Sequence, residues 1–215
     1  MRSIRSRAFV AVAVALLSVP PLAAQVGKSV TVKDANSAPE AEIAALPHMT
    51  PALAKELVAA RPFANATAYD AFLAPKLTKE QRAELYPTLF VHIDLNSASR
   101  EEVMLVPGMG PRMVREFFEY RPFASLAVFR REIGKYVPAE EVARLEQYVF
   151  IPMNPTTASD EDLNTIPGFG PRMLREFKEY RPWTSAAQFQ KEIGKYVDAK
   201  EVARLWRYVT IAPAK

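Results

Sequence analysis

A period of 60 residues runs through this 215-residue chain and constrains its fold more than any other feature. VPGMGPRMVREFFEYRPF, at 106–123, returns 60 positions later as IPGFGPRMLREFKEYRPW, at 166–183. The match continues through EIGKYV and EVARL, so that aligning 94–151 with 154–211 gives 34 identities in 58 gapless positions. The same offset exposes a diverged first copy, LPHMTPALAKELVAARPF at 46–63, with Asn36-Ser37-Ala38 in register with Asn96-Ser97-Ala98. A fixed period means that one supersecondary unit is used three times. The copies span roughly 30–91, 94–151 and 154–211, within domain boundaries of 25–93, 94–153 and 154–215. TLFVHID and YVFIPMN join them as short extended segments, with no low-complexity linker between. A unit of 60 residues is marginal as an independent core. Three of them are therefore expected to pack on one another as a short array.

Within each copy the apolar period is helical. In repeat 2, Ser99-Arg100-Glu101-Glu102 reads as a capping box, and the helix it opens should stop before Pro107. Pro111 stands where a second helix would begin, the one helical position that tolerates a missing N–H. Met113, Val114, Phe117 and Phe118 then share a face, and Arg121-Pro122 ends that helix. Ser125 caps a third helix with Val128, Phe129 and Ile133 inward. A fourth runs from about Ala139 with Val142, Leu145 and Val149 inward. Asp198 with Glu201 and Thr78 with Gln81 repeat the capping signal in the other copies. The expected class is all-α, with four short helices per copy.

The first 24 residues read differently. Arg2, Arg5 and Arg7 precede the apolar run AFVAVAVALLSV, and PPLAA ends in small residues, the pattern of a cleaved export signal. The competing reading is a membrane anchor, but the 12-residue run Ala8–Val19 is short of the roughly 20 that a bilayer requires. Cleavage is expected after Ala24, placing the mature chain in a periplasm. Removing 1–24 takes away three Arg and no acid. Lys+Arg falls from 28 to 25 against 24 Asp+Glu, so the net charge drops from +4 to +1. Global charge then no longer argues for a polyanion partner, and any such argument must be local.

The local argument is the string Val106-Pro107-Gly108-Met109-Gly110-Pro111 between two helices, repeated at 166–171. Two glycines one residue apart allow left-handed backbone angles and close approach by another chain. Such a turn delivers its amides beside a helix start, where unpaired N–H groups and the positive end of the macrodipole favour an anion. Met109 and Phe169 should point inward and pin the turn. Arg112 and Arg172 follow at once and could reach the same anion, with Arg115 and Arg175 one turn on.

These residues resemble the helix-hairpin-helix family, and within it the ComEA-like DNA-receptor module of natural competence. NSASREEVMLVPGMGPRMVREFFEYRPF matches that pattern of Asn, Ser and paired acids, then a glycine hairpin, a helix and Tyr-Arg-Pro-Phe. Repeat 3 matches it from Ala158 to Trp183. The resemblance implies non-specific binding of double-stranded DNA through its phosphates. Gly108, Met109, Gly110, Arg112 and Arg115 would form one site, and Gly168, Phe169, Gly170, Arg172 and Arg175 the other. Repeat 1 departs from the pattern: Pro47-His48-Met49-Thr50-Pro51 has no glycine, and Ala52 replaces the Arg. It is expected to keep the fold without the site. The Ile133-Gly134-Lys135-Tyr136-Val137 stretch has one glycine where the family has a second hairpin, and reads as structural. The chain also resembles the helix-hairpin-helix extrinsic subunit of photosystem II, which implies docking on a membrane protein complex from its extracytoplasmic side, without DNA.

Structural roles compete with each of these. The glycines could serve only as tight-turn formers. Phe117, Phe118, Phe123, Tyr180 and Trp183 are expected in the core or between units rather than as base-stacking platforms. Arg-Pro recurs even in repeat 1, through Arg61-Pro62, which favours a helix stop or a carbonyl-capping Arg over a ligand contact. His48 and His92 read as surface or boundary residues, and Glu101-Glu102 and Asp160-Glu161-Asp162 as first-turn dipole compensation. With no Cys, no Ser–His pairing, no metal-ligand cluster and no Walker-type loop, the chain reads as a non-enzyme without cofactor, metal or small-molecule substrate. Local charge mildly favours DNA for the third domain, 154–215, with ten basic and eight acidic residues, against eight and nine in 94–153 and seven and seven in 25–93.

Overall fold

A computed structural model describes residues 26–27 and 30–211, and the expected export signal lies outside them. The fold is mainly α, with twelve helices among the described residues. Repeat 1 holds α1 (Glu40–Ala44), α2 (Pro51–Ala60), α3 (Ala66–Leu73) and α4 (Lys79–Leu85). Repeat 2 holds α5 (Arg100–Leu105), α6 (Pro111–Glu119), α7 (Leu126–Ile133) and α8 (Ala139–Glu146). Repeat 3 holds α9 (Asp160–Leu163), α10 (Pro171–Glu179), α11 (Ala186–Ile193) and α12 (Ala199–Trp206). None of these helices is long and apolar enough to cross a membrane.

The helix starts obey the capping rules. Ser99 and Glu102 form the reciprocal box, as do Thr78 and Gln81. Asp198 supplies only half of one: it accepts from Glu201 N at 2.9 Å, while the Glu201 carboxylate turns to Arg204. Helices this short do not persist alone in water, so packing must hold them.

The joining segments do more than connect. Strand β1 (Lys33–Asp34) pairs in parallel with β2 (Leu89–Phe90), and β3 (Ile93–Asp94) with β4 (Val149–Phe150). A parallel bridge between Met153 and Val209 repeats the arrangement at the end of the chain. Each copy is thus tied from its first residues to its last. A side-chain clasp reinforces the tie: Asn36 accepts from Phe63 N at 2.7 Å and donates to its carbonyl at 3.0 Å. Asn96 does the same for Phe123, and the Thr156 hydroxyl for Trp183.

Arg61 donates from Nε and Nη2 to the carbonyls of Ala35 and Ala38, and Arg181 to those of Pro155 and Ala158. This is the carbonyl-capping role. Arg121 departs from it and stacks on Phe118 instead, 4.1 Å from the ring centre, with its buried Nε and Nη2 lacking partners.

Repeats 1 and 2 share one continuous core, and repeat 3 forms a second. The same aromatic contact marks both junctions, Phe90 with Tyr148 at 5.3 Å and Phe150 with Tyr208 at 4.6 Å. Phe117, Phe123 and Trp183 are buried, while Phe118 and Tyr180 are half-buried against the same cores.

His92 corrects the sequence reading, because it is wholly buried rather than at the surface. Its Nδ1 lies 3.4 Å from the Tyr208 hydroxyl, and its carbonyl accepts from Arg207 Nη2 at 2.7 Å. Burial pushes the imidazole below its ordinary pKa, although the Asp34 charge opposes the shift. The segment ahead of repeat 1 is also docked. Gly27 N donates to the Val149 carbonyl at 3.1 Å, and Gln147 Oε1 accepts from the amides of Val30, Thr31 and Val32.

Candidate nucleic-acid interface

The turns between first and second helices form the same way in all three copies. Val106 O accepts from Met109 N at 3.0 Å, Ile166 O from Phe169 N at 3.0 Å, and Leu46 O from Met49 N at 3.2 Å. The residue before the donor is left-handed each time: Gly108 at φ 81°, Gly168 at φ 71° and His48 at φ 63°. Repeat 1 therefore keeps the turn without glycine. A non-glycine residue in this region costs about 1–2 kcal/mol. Met109 and Met49 are buried, and Phe169 packs edge-on against Phe177 at 4.9 Å, so the apolar centre of each turn does point inward.

Only the first glycine of each pair has a backbone angle that favours glycine. Gly110 and Gly170 have φ of −86° and −108°, open to any residue, and a Cβ on either would meet nothing within 4 Å. Of the two glycines that could take left-handed angles, only the first of each pair does. What the second glycine leaves is room on the outside of the chain.

The helix starts beside that room have donors without acceptors. Gly110 and Gly170 are the N-caps of α6 and α10, without a capping side chain. Among the described residues nothing accepts from the amides of Gly108, Gly110, Arg112 and Met113, nor from their counterparts in repeat 3. In repeat 1, Thr50 stands in the same place, and its hydroxyl accepts from Leu53 N at 3.2 Å. With glycine in that place, the amides of Met113 and Met173 have no acceptor among the described residues, where Thr50 supplies one to Leu53.

The charges follow the donors. Helices α5 and α9 begin with acidic residues, whereas α6 and α10 have none in the first turn. Arg112 and Arg172 occupy that turn instead, exposed, where a cation opposes the macrodipole. Arg172 leans over the Tyr196 ring at 5.4 Å. Arg115 and Arg175 are exposed but engaged with Glu116 and Glu176, at 3.0 and 3.3 Å. The Arg115 contact holds the Glu116 carboxyl below its ordinary pKa. Behind them the hydroxyls of Tyr120 and Tyr136 lie 2.8 Å apart, and those of Tyr180 and Tyr196 2.9 Å apart. Gly134 and Gly194 are right-handed at φ −62°, so the second half of each copy carries no left-handed turn.

Sequence reasoning missed a second arginine behind each turn. A Cβ on Gly108 would come within 2.7 Å of Arg144 Nη2, and one on Gly168 within 3.5 Å of Arg204 Nη2. Arg144 is held by both oxygens of Glu141; Arg204 is held by Glu201 and also donates to the Pro167 carbonyl. Repeat 1 has Glu84 at this position, and it pairs with His48 at 2.6 Å. The residue in the turn and the residue behind it therefore change together between copies. That covariation was readable in the sequence, at positions 48, 108 and 168 against 84, 144 and 204.

The turn of repeat 2 lines a groove of about 750 Å³ opposite Lys79 and Arg82 of α4 and its C-cap Tyr86. The turn of repeat 3 lines a cavity of about 680 Å³ with Val26, Gly27, residues 30–34 and the paired Arg130 and Glu146. No family model, curated protein or solved structure matches the chain.

Proposed function

We propose that the chain is a non-enzymatic, exported protein of three tandem helix-hairpin-helix modules, 25–93, 94–153 and 154–215, that binds double-stranded DNA without sequence preference. The modules at 94–153 and 154–215 carry the sites, and the first is a structural copy. Phosphate oxygens accept from the amides around Gly108–Gly110 and Gly168–Gly170. Arg112 and Arg172 add charge, with Arg115 and Arg175 one turn further. Contacts of this kind position a protein on a duplex without reading it.

One observation carries the reading. Gly110 and Gly170 are glycine where neither backbone angle nor packing requires it, and they uncover amides at a helix start that lacks acid. A turn-former alone explains Gly108 and Gly168 and leaves their partners unexplained.

The test is the double variant Gly110→Ala/Gly170→Ala. Its stability should stay within about 1 kcal/mol of wild type, because the entropy that alanine removes from the unfolded chain, about 0.4–1 kcal/mol per site, offsets its poorer N-cap preference. Its affinity for duplex DNA should fall about tenfold, a loss of roughly 1.4 kcal/mol, as the new methyl groups crowd the approaching phosphate. Unchanged affinity would return the glycines to a turn-forming role. If wild type shows no DNA binding even in low salt, the reading as an extracytoplasmic subunit docked on a membrane protein complex takes its place.

A further inference from the structure

The two glycine turns face unlike surroundings. Across the groove from the repeat 2 turn stand Asp70, Lys79 and Arg82 of repeat 1, and Asp70 is the one acid among the described residues that line it. That acid is engaged within its own wall. It accepts from Arg82 Nε at 2.8 Å and from the Tyr86 hydroxyl, while Arg82 Nη1 donates to the Leu77 carbonyl at 2.9 Å. Lys79 is exposed and makes no hydrogen bond or ion pair among the described residues. One uncompensated cation therefore stands opposite Gly108 and Gly110.

The fold does not require it there. The equivalents of Lys79 in the other copies are Ala139 and Ala199, and those of Arg82 are Val142 and Val202. A lysine in the first turn of α4 also opposes the macrodipole, where alanine would not. The copy without a glycine turn is thus the copy that carries cations at these positions. The repeat 3 turn looks onto the opposite chemistry. In the described lining of its cavity, Lys33 and Arg130 stand against Asp34, Glu146 and Glu161. Lys33 pairs with Glu42 and Arg130 with Glu146, while the buried Asp34 carboxylate has no hydrogen-bond partner. Two cations against one acid face the first turn, and two against three face the second.

We infer that Lys79 is a DNA-phosphate-binding residue of the repeat 2 site, reaching across the groove to the strand that lies on the amides around Gly108–Gly110. Repeat 1 then supplies charge to binding although its own turn has no open glycine. Lys79 takes this role only on the DNA reading above, and it makes the repeat 2 turn the stronger of two unequal sites.

The test is duplex DNA binding by the protein over a range of salt. Lys79→Ala installs the residue of the other two copies, so the unfolding midpoint should not fall. It should weaken binding several-fold in low salt and flatten the salt slope by about 0.9, the share of one phosphate. Lys79→Arg should bind as wild type does. Lys55→Ala removes another exposed lysine of repeat 1, outside the groove, and should leave the slope unchanged. Arg112→Ala should cost more affinity than Arg172→Ala. The loss from Lys79→Ala should couple with that from Arg112→Ala and simply add to that from Arg172→Ala. If wild type binds and Lys79→Ala keeps its slope, or Lys55→Ala loses as much, or Arg172→Ala costs more than Arg112→Ala, the proposal is overturned and the DNA reading stands. No binding by wild type even in low salt would remove both.

Discussion

At the scale of single residues, the left-handed position of each turn separates structure from site. Gly108 cannot be replaced cheaply, since its φ of 81° is strained for other residues and Arg144 fills the space where a side chain would go. Gly110, two positions on, has neither constraint. The motif was legible from the sequence, but this division of labour was not, because two glycines in a string look alike until φ is known. His92 was misjudged for a related reason: a lone histidine in an extended joint carries no periodicity that marks burial. Its buried imidazole, facing Asp34, Arg207 and Tyr208, has a folded pKa below the ordinary 6.5. The unfolded chain therefore binds a proton that the folded chain resists. His92 contributes stability that is present above about pH 6.5 and lost as pH falls from there toward the lowered folded value. The carboxyls of Glu116, Glu132, Glu141 and Glu192 are also lowered, but from 4.5, so they act in a more acidic window. Denaturant melts between pH 7 and 5 should show wild type weakening and His92→Gln nearly flat. Parallel slopes would refute the assignment.

At the scale of elements, helices and caps were readable because each has a local cause: Ser99 with Glu102, Pro111 at a helix start, Ser125 before Leu126. The two-residue parallel ladders were not, since their partners are more than fifty residues apart and too short to show alternation. The Arg-Pro stops lie between these cases. Their recurrence pointed to structure, and Arg61 and Arg181 do cap carbonyls at the opening of their own copies. Arg121 does not, although its sequence context is nearly the same as that of Arg181. Arg181→Ala should accordingly cost about 2 kcal/mol, the value of charge-assisted bonds to partly buried carbonyls. Arg121→Ala should cost less, because it forfeits a stacking contact and relieves buried donors without partners. Equal losses in thermal unfolding would contradict this distinction.

At the scale of the whole molecule, the 60-residue period announced three copies but not their mutual contacts. Lys200 Nζ donates to the Ala59 carbonyl at 2.8 Å, and Ser37 lies against Gly168, so repeat 3 touches repeat 1. Val26, Gly27 and residues 30–34 line the cavity between repeat 2 and the repeat 3 turn. Such contacts join positions with no periodic relation, and nothing local in the sequence encodes them. The two glycine turns therefore belong to one packed body, in which the proposed phosphate contacts would act together. On the proposed export and removal of residues 1–24 the net charge is +1, and few cations are placed to neutralise phosphates: Arg112 and Arg172 first, then Arg115 and Arg175, which must leave Glu116 and Glu176. The most direct measurement is the salt dependence of duplex DNA binding by the mature protein and by Arg112→Ala/Arg172→Ala. Counterion release gives about −0.9 in log K per log salt for each phosphate neutralised, so wild type should show a shallow slope of about −2 to −4. The double variant should bind all duplex sequences more weakly and with a flatter slope, while its unfolding midpoint stays unchanged. A double variant that binds as tightly as wild type, with the same slope, would contradict the account.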